Sequence, residues 1–205
     1  MTVQSVKTGA DPEVLKVGLS DGSLFFIRLC YLDPPMPLDR PPTLPWEITE
    51  EEGREILFAG ECFRAERAAL RLIGRAEQAS FPLARKLEQR GYPEAAVRRV
   101  LNRLEALGLV DDQRYAELWI EDRLLRRPEG PGKLCALLQA RSINRRIAEA
   151  AVRNVVTEAV EIDLIRRFIQ KHGMDRSCGD FEFRQTLRKS GFSPLAIRGV
   201  LEKEN

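Results

Sequence analysis

From residue 63 to the C-terminus, apolar residues recur at three- and four-residue intervals, the period of an amphipathic helix. Breaks marked by Gly or Pro divide this stretch into candidate helices over 63–77, 81–90, 94–107, 112–126, 131–140, 144–155, 157–171, 180–189 and 194–203. One more is expected over 50–60, where Thr49 and Glu52 have the spacing of a capping box. Upstream the pattern changes. Two apolar runs, Val14–Leu19 and Leu24–Leu29, flank Ser20-Asp21-Gly22-Ser23, and an Asp-Gly pair in that setting predicts a small β-hairpin. Residues 33–46 carry prolines at 34, 35, 37, 41, 42 and 45, which predicts an extended linker because proline fixes φ and removes a donor.

The helical part repeats. Leu83, Leu87, Gly91, Tyr92, Val97, Val100 and Leu101 align with Leu134, Leu138, Ser142, Ile143, Ile147, Ala151 and Val152. They align again with Phe183, Leu187, Gly191, Phe192, Ile197, Val200 and Leu201. The second copy reads as one residue shorter, because Ile147 follows Ser142 by five positions. Gly91 and Gly191 stand where a left-handed residue closes a helix, so Ser142 is expected to strain its turn. A longer helix precedes each pair. The expected organisation is a hairpin and proline-rich linker over 1–46, a helix over 47–62, and three-helix modules over 63–109, 110–155 and 156–205. Units this small complete their cores by stacking, so the expected fold is an all-α, curved, elongated solenoid behind the hairpin.

Composition narrows the function. At 205 residues, 43% hydrophobic and 31% charged, the chain has enough apolar material to fold. Its longest apolar run is Leu134–Leu138, far short of the roughly 20 residues a bilayer span needs, so no membrane association is expected. The first residues hold no apolar signal core, which suggests a cytoplasmic protein. His172 is the single histidine, which excludes mechanisms needing two. Cys30, Cys62, Cys135 and Cys178 form no CxxC pair and are expected to be reduced, buried thiols. A binder is expected, with no enzymatic activity and no cofactor. Its formal net charge of +2 hides a division: residues 1–60 hold 5 basic and 10 acidic side chains, and the helical remainder holds 28 and 21.

Two basic clusters carry the binding signal. Residues 123–153 contain eight cations against two acids, and residues 85–103 contain six against two. The residues singled out are Arg99, Arg103, Arg126, Arg127, Lys133, Arg141, Arg145 and Arg146. Arg145 and Arg146 open a helix, where positive charge opposes the dipole and calls for a compensating anion. Asp111 and Asp112 are read as opening the next helix, since adjacent carboxylates rarely converge on a metal. Tyr115 and Trp119, four apart, are read as a core stripe in preference to a base-stacking pair. Gly130-Pro131-Gly132-Lys133 lacks the spacing of a phosphate-binding loop and is read as a tight turn. His172 is read as a helix C-terminal residue.

The segment Leu104-Glu-Ala-Leu-Gly-Leu-Val-Asp111-Asp112-Gln-Arg114-Tyr115-Ala116 resembles the signature of the RecX family of recombination regulators. Ala69–Ile73, Lys86–Gly91, Gly132–Leu134 and Leu138–Arg141 agree in order and spacing, so the resemblance covers about two-thirds of the chain. Phe81-Pro82 and Ser142 depart from the family pattern, and residues 1–60 lie outside it. The resemblance implies a monomeric, non-enzymatic protein that binds the filament formed by the RecA recombinase on single-stranded DNA. Its curved body would lie in the filament groove and inhibit ATP hydrolysis and strand exchange, by capping or disassembly. Weak direct binding to single- or double-stranded DNA is also expected. The alternative is a helix-turn-helix transcription regulator, which the paired helices would equally suit.

Overall fold

The computed structural model describes residues 1–38, 43–174 and 180–203, and these form two compact units, Met1–Val110 and Asp111–Asn205. In the first unit, β1 (Thr2–Thr8), β2 (Val14–Leu19), β3 (Leu24–Arg28) and β4 (Trp46–Glu47) form an antiparallel sheet in the order β3-β2-β1-β4. The expected hairpin is β2–β3. Its turn is held by Asp21 Oδ1, which accepts from the Ser23 N–H at 2.8 Å. The sequence pattern did not predict β1, because a bulge between Val3 and Ser5 breaks the two-residue alternation. Met36 and Leu38 of the proline-rich stretch are buried with the sheet's inner face.

That face packs on α1 (Glu50–Ile73), a single helix of 24 residues where two were expected, over 50–60 and 63–77. The capping box at Thr49 is formed, with the Glu52 N–H donating to Thr49 Oγ1 at 3.2 Å and the Thr49 N–H to Glu52 Oε2 at 2.7 Å. Gly60 does not break the helix. A Cβ there would lie 2.8 Å from the Phe25 ring, so its lack of a side chain lets the sheet approach. The second half of α1 packs with α2 (Ser80–Glu88) and α3 (Glu94–Ala106) as the first three-helix group.

The second unit repeats the arrangement twice. It contains α4 (Asp112–Arg126), α5 (Pro131–Gln139) and α6 (Arg145–Val155), then α7 (Glu158–His172), α8 (Asp180–Lys189) and α9 (Pro194–Lys203). In every group the first helix packs on the third. Leu87, Leu138 and Leu187 are buried at equivalent places. The expected one-residue shortening is absent. Ala148, six residues after Ser142, takes the buried place of Val97 and Ile197, while Ile147 beside it is half-buried. His172 ends α7 as expected, its Nδ1 2.8 Å from the Phe168 carbonyl oxygen. Of the described cysteines, only Cys62 is buried; Cys30 is exposed and Cys135 half-buried, contrary to expectation, and Cys178 lies outside the described residues. No helix among the described residues is long and apolar enough to cross a membrane.

The turn between second and third helices is built three times alike. Gly91, Ser142 and Gly191 have φ of 85°, 65° and 85°. The next N–H donates back to the landmark leucine carbonyl in each case, at 3.3, 3.1 and 3.2 Å. The third turn is also an internal contact. Gly191 O accepts from the Gly132 N–H and Ser190 O from the Gly130 N–H, both at 2.9 Å, which joins the two groups of the second unit. These turns should respond differently to substitution in urea unfolding. Ser142→Gly should stabilise by about 0.5 kcal/mol, since it relieves a left-handed non-glycine. Gly91→Ala, with open space around it, should cost about 1 kcal/mol. Gly191→Ala should cost about 3 kcal/mol or more, because its Cβ would lie 2.3 Å from the Lys133 backbone nitrogen. Equal costs at Gly91 and Gly191 would contradict the packing described.

Candidate functional site

The signature residues serve the start of α4. Asp111 is the N-cap, and its Oδ1 accepts from the Gln113 and Arg114 N–H groups at 2.9 and 3.0 Å. Asp112 begins the helix at the positive end of its dipole. Ala116, Ile120 and Leu124 are its buried stripe. Tyr115 and Trp119 are half-buried beside that stripe, not in the core as expected, because the helical period turns them toward the solvent boundary.

The cations divide by unit. In the first unit, Arg103 is enclosed. Its Nε lies 3.4 Å from Glu66 Oε1 and its Nη2 3.3 Å from Glu13 Oε2. Glu66 is buried and also accepts from Arg28 Nε at 3.0 Å. Arg99 lies 3.4 Å from the Asp33 carboxylate. Both arginines therefore tie α3 to the N-terminal segment.

The remaining six lie in the second unit, at or near the ends of α4, α5 and α6. Glu129, in the α4–α5 turn, is buried and paired with both Arg123 and Lys133, the latter at 3.0 Å. Arg123 also lies over the Trp119 ring, with its guanidinium carbon 5.1 Å from the centroid. Arg141, at the end of α5, approaches the same ring at 4.6 Å. Lys133, Glu129, Arg123, Trp119 and Arg141 thus form one connected series, in which Trp119 orients two cations through its π-face. Sequence reasoning missed Trp119 and Arg123 as parts of the site. Their i, i+4 spacing was the available signal.

Arg145 and Arg146 occupy the first turn of α6. Arg145 Nε lies 2.7 Å from Glu149 Oε1, and this pair raises the Arg145 guanidinium and holds the Glu149 carboxyl below its ordinary range. The anion that the helix dipole calls for is thus supplied in part from within. Arg126 pairs with Asp122 at 3.1 Å. Arg127 and Arg146 are exposed and hold no ion pair among the described residues. Arrayed cations of this kind bind anions.

Burial alone would raise the Glu129 carboxyl, but hydrogen bonds from Arg123 and Lys133 outweigh it and hold the group below 4.5. Its stabilisation is therefore complete above pH 4.5 and lost as the pH falls through the depressed folded value. Glu129→Gln should cost about 2 kcal/mol at pH 7, measured by urea unfolding. The gap between variant and wild type should close in acid. A gap that persists unchanged to pH 2 would exclude an ionic role.

Comparison with known proteins places these features. Residues 65–104 match the family model described as RecX, first three-helix domain, and residues 111–152 match RecX, second three-helix domain. A "Regulatory protein RecX" of Treponema pallidum (strain Nichols) is 31% identical over 156 residues, which cover 76% of this chain and 94% of that protein. A "Crystal structure of regulatory protein RecX" superposes with a TM-score of 0.73 at 19% identity, covering 98% of both chains. The crystal structure of RecX from Lactobacillus salivarius gives 0.61 at 20% identity, covering 70% of this chain and 96% of that one. With the Treponema pallidum relative matched over 94% of its length and both domain models falling on the helical groups, the chain belongs to the RecX family of regulatory proteins.

Proposed function

We propose that this chain is a non-enzymatic negative regulator of homologous recombination and DNA repair. It acts in the cytoplasm as a monomer, binding the RecA filament on single-stranded DNA and lowering its ATPase and strand-exchange activities. Family membership supports the class of action, since its relatives carry the name of regulatory proteins. The observation that carries the reading to residues is the cation edge of the second unit, where Arg141, Arg145 and Arg146 surround one helix–helix turn. The pair Arg145–Glu149 is exposed and worth little in water, so it can open to an incoming phosphate or carboxylate at small cost. Arg141, held on Trp119, loses less side-chain freedom on binding than an unrestrained arginine.

The recombinase ATPase on single-stranded DNA, followed as the protein is titrated in, tests the reading. Inhibition is expected at levels too low to coat the free DNA. Arg141→Ala, Arg145→Ala and Arg146→Ala combined should weaken inhibition about tenfold or more while helix content by circular dichroism stays intact. Unchanged inhibition by that variant would remove these residues from the site. No inhibition by the wild type, with duplex specificity of about 10³ or more for one sequence, would instead identify a helix-turn-helix transcription regulator.

A further inference from the structure

The acids of α2 and α3 are gathered in one place. A groove of about 270 Å³ lies between these two helices. Its apolar lining is Phe81, Ala84, Val97 and Leu101, and its acidic lining is Glu88, Glu94 and Glu105. We infer that this acid-lined groove docks a partner protein through a short amphipathic helix whose flanks carry lysine or arginine.

Three observations carry it. The first is a segregation of charge. Residues 85–105 contain six cations, Arg85, Lys86, Arg90, Arg98, Arg99 and Arg103, and three acids. All three acids line the groove, and of the cations only Arg98 does. A segment that is basic by count therefore presents an acidic recess. Glu88 and Glu94 are exposed and hold no ion pair among the described residues. Their charge is open to a partner, and it repels phosphate while it attracts ammonium or guanidinium.

The second is the ring at its mouth. Phe81, in the first turn of α2, is 50% exposed. A lone exposed phenylalanine is ordinary, but this one continues an apolar strip whose members Val97 and Leu101 belong to the core. An apolar side chain set against Phe81 extends that strip. The third is the repeat. Counted from the aligned Leu83 and Leu134, the counterpart of Phe81 is Gly132, whose N–H donates to Gly191 O of the third group at 2.9 Å. The start of α5 is thus covered by a neighbouring turn, at the position where the first group leaves a ring exposed. Phe81-Pro82 is also where the sequence departs from the family pattern. α2 has nine residues and rises about 13 Å, which suits an occupant helix of two to three turns anchored at i and i+3 or i+4.

This site does not depend on the filament reading, and its test contains neither recombinase nor DNA. The probe is a fluorescein-labelled amphipathic peptide of about 14 residues, with leucine on one face and lysine on the other. Its binding to the full chain is read by anisotropy. Phe81→Ala should weaken binding about tenfold or more. Glu88→Gln and Glu94→Gln combined should weaken it about fivefold at low salt, with the difference from wild type shrinking as salt rises. The same peptide with glutamate in place of lysine should bind about tenfold more weakly or worse. Photocrosslinking of the wild type to the lysine peptide, with benzophenone in place of one leucine, needs no variant to fold. A crosslink within residues 80–105 is expected. Crosslinks confined to other segments, wild-type affinity in both variants, or equal affinity for the glutamate peptide would each overturn the proposal. A dimer in sedimentation that Phe81→Ala dissolves would overturn it too, since the groove would then belong to a second copy of the chain.

Discussion

A carboxylate on the first helix of a group, held by a donor on the third, is the interaction on which the first unit depends. Glu66 on α1 is 3% exposed, and a lone carboxylate at that depth would lose far more hydration than packing returns. It accepts from Arg103 of α3 and Arg28 of β3, so one side chain fastens both the sheet and the third helix to α1. The second unit uses the same position. Glu117 of α4 accepts from Asn154 of α6 at 2.7 Å, with the 37-residue separation that divides Glu66 from Arg103. The donor there is neutral and the carboxylate more exposed, so the clasp costs less to build and contributes less.

That difference decides which cations remain for a partner. In the first unit Arg99 and Arg103 of α3 meet Glu66 of α1 and Glu13 and Asp33 of the N-terminal segment. These two arginines are held by the fold, while Arg98 of the same helix is exposed. In the second unit the buried carboxylate of Glu129 anchors Arg123 and Lys133. The surplus cations at the α5–α6 turn therefore stay at the surface. Asp33 and Glu13 of the N-terminal segment thus engage Arg99 and Arg103 of the first basic cluster.

Most of the helical fold was legible because period and punctuation agreed. Gly91, Pro93, Gly130, Pro131, Gly191 and Pro194 mark breaks that the backbone honours. Gly60 misled for a tertiary reason, since its lack of a side chain serves the approach of Phe25 and not a turn. The apparent shortening of the second repeat came from aligning the larger Ile147 in place of Ala148, although a close-packed site can take the smaller residue. β1 was hidden by its bulge, and β4 is only two residues long. The site was legible as a charge count but not as geometry. Arg99 and Arg103 look as available in sequence as Arg145 and Arg146, and only their pairing with residues 37 to 90 positions away separates them.

Arg103 and Arg146 differ in what an incoming anion would cost each of them. A guanidinium held by a buried carboxylate cannot exchange that partner for solvent-borne phosphate without stranding the acid, so its charge is invisible to a ligand except at long range. A guanidinium at a helix N-terminus sits against the positive end of the dipole, and without a partner it destabilises its own helix. α6 tolerates two such residues because Asn144 caps it and Glu149 offsets one of them. The remaining unfavourable field is relieved when an anion arrives. Binding there recovers a free energy that folding had already given up, whereas binding at Arg103 would remove one that folding needs.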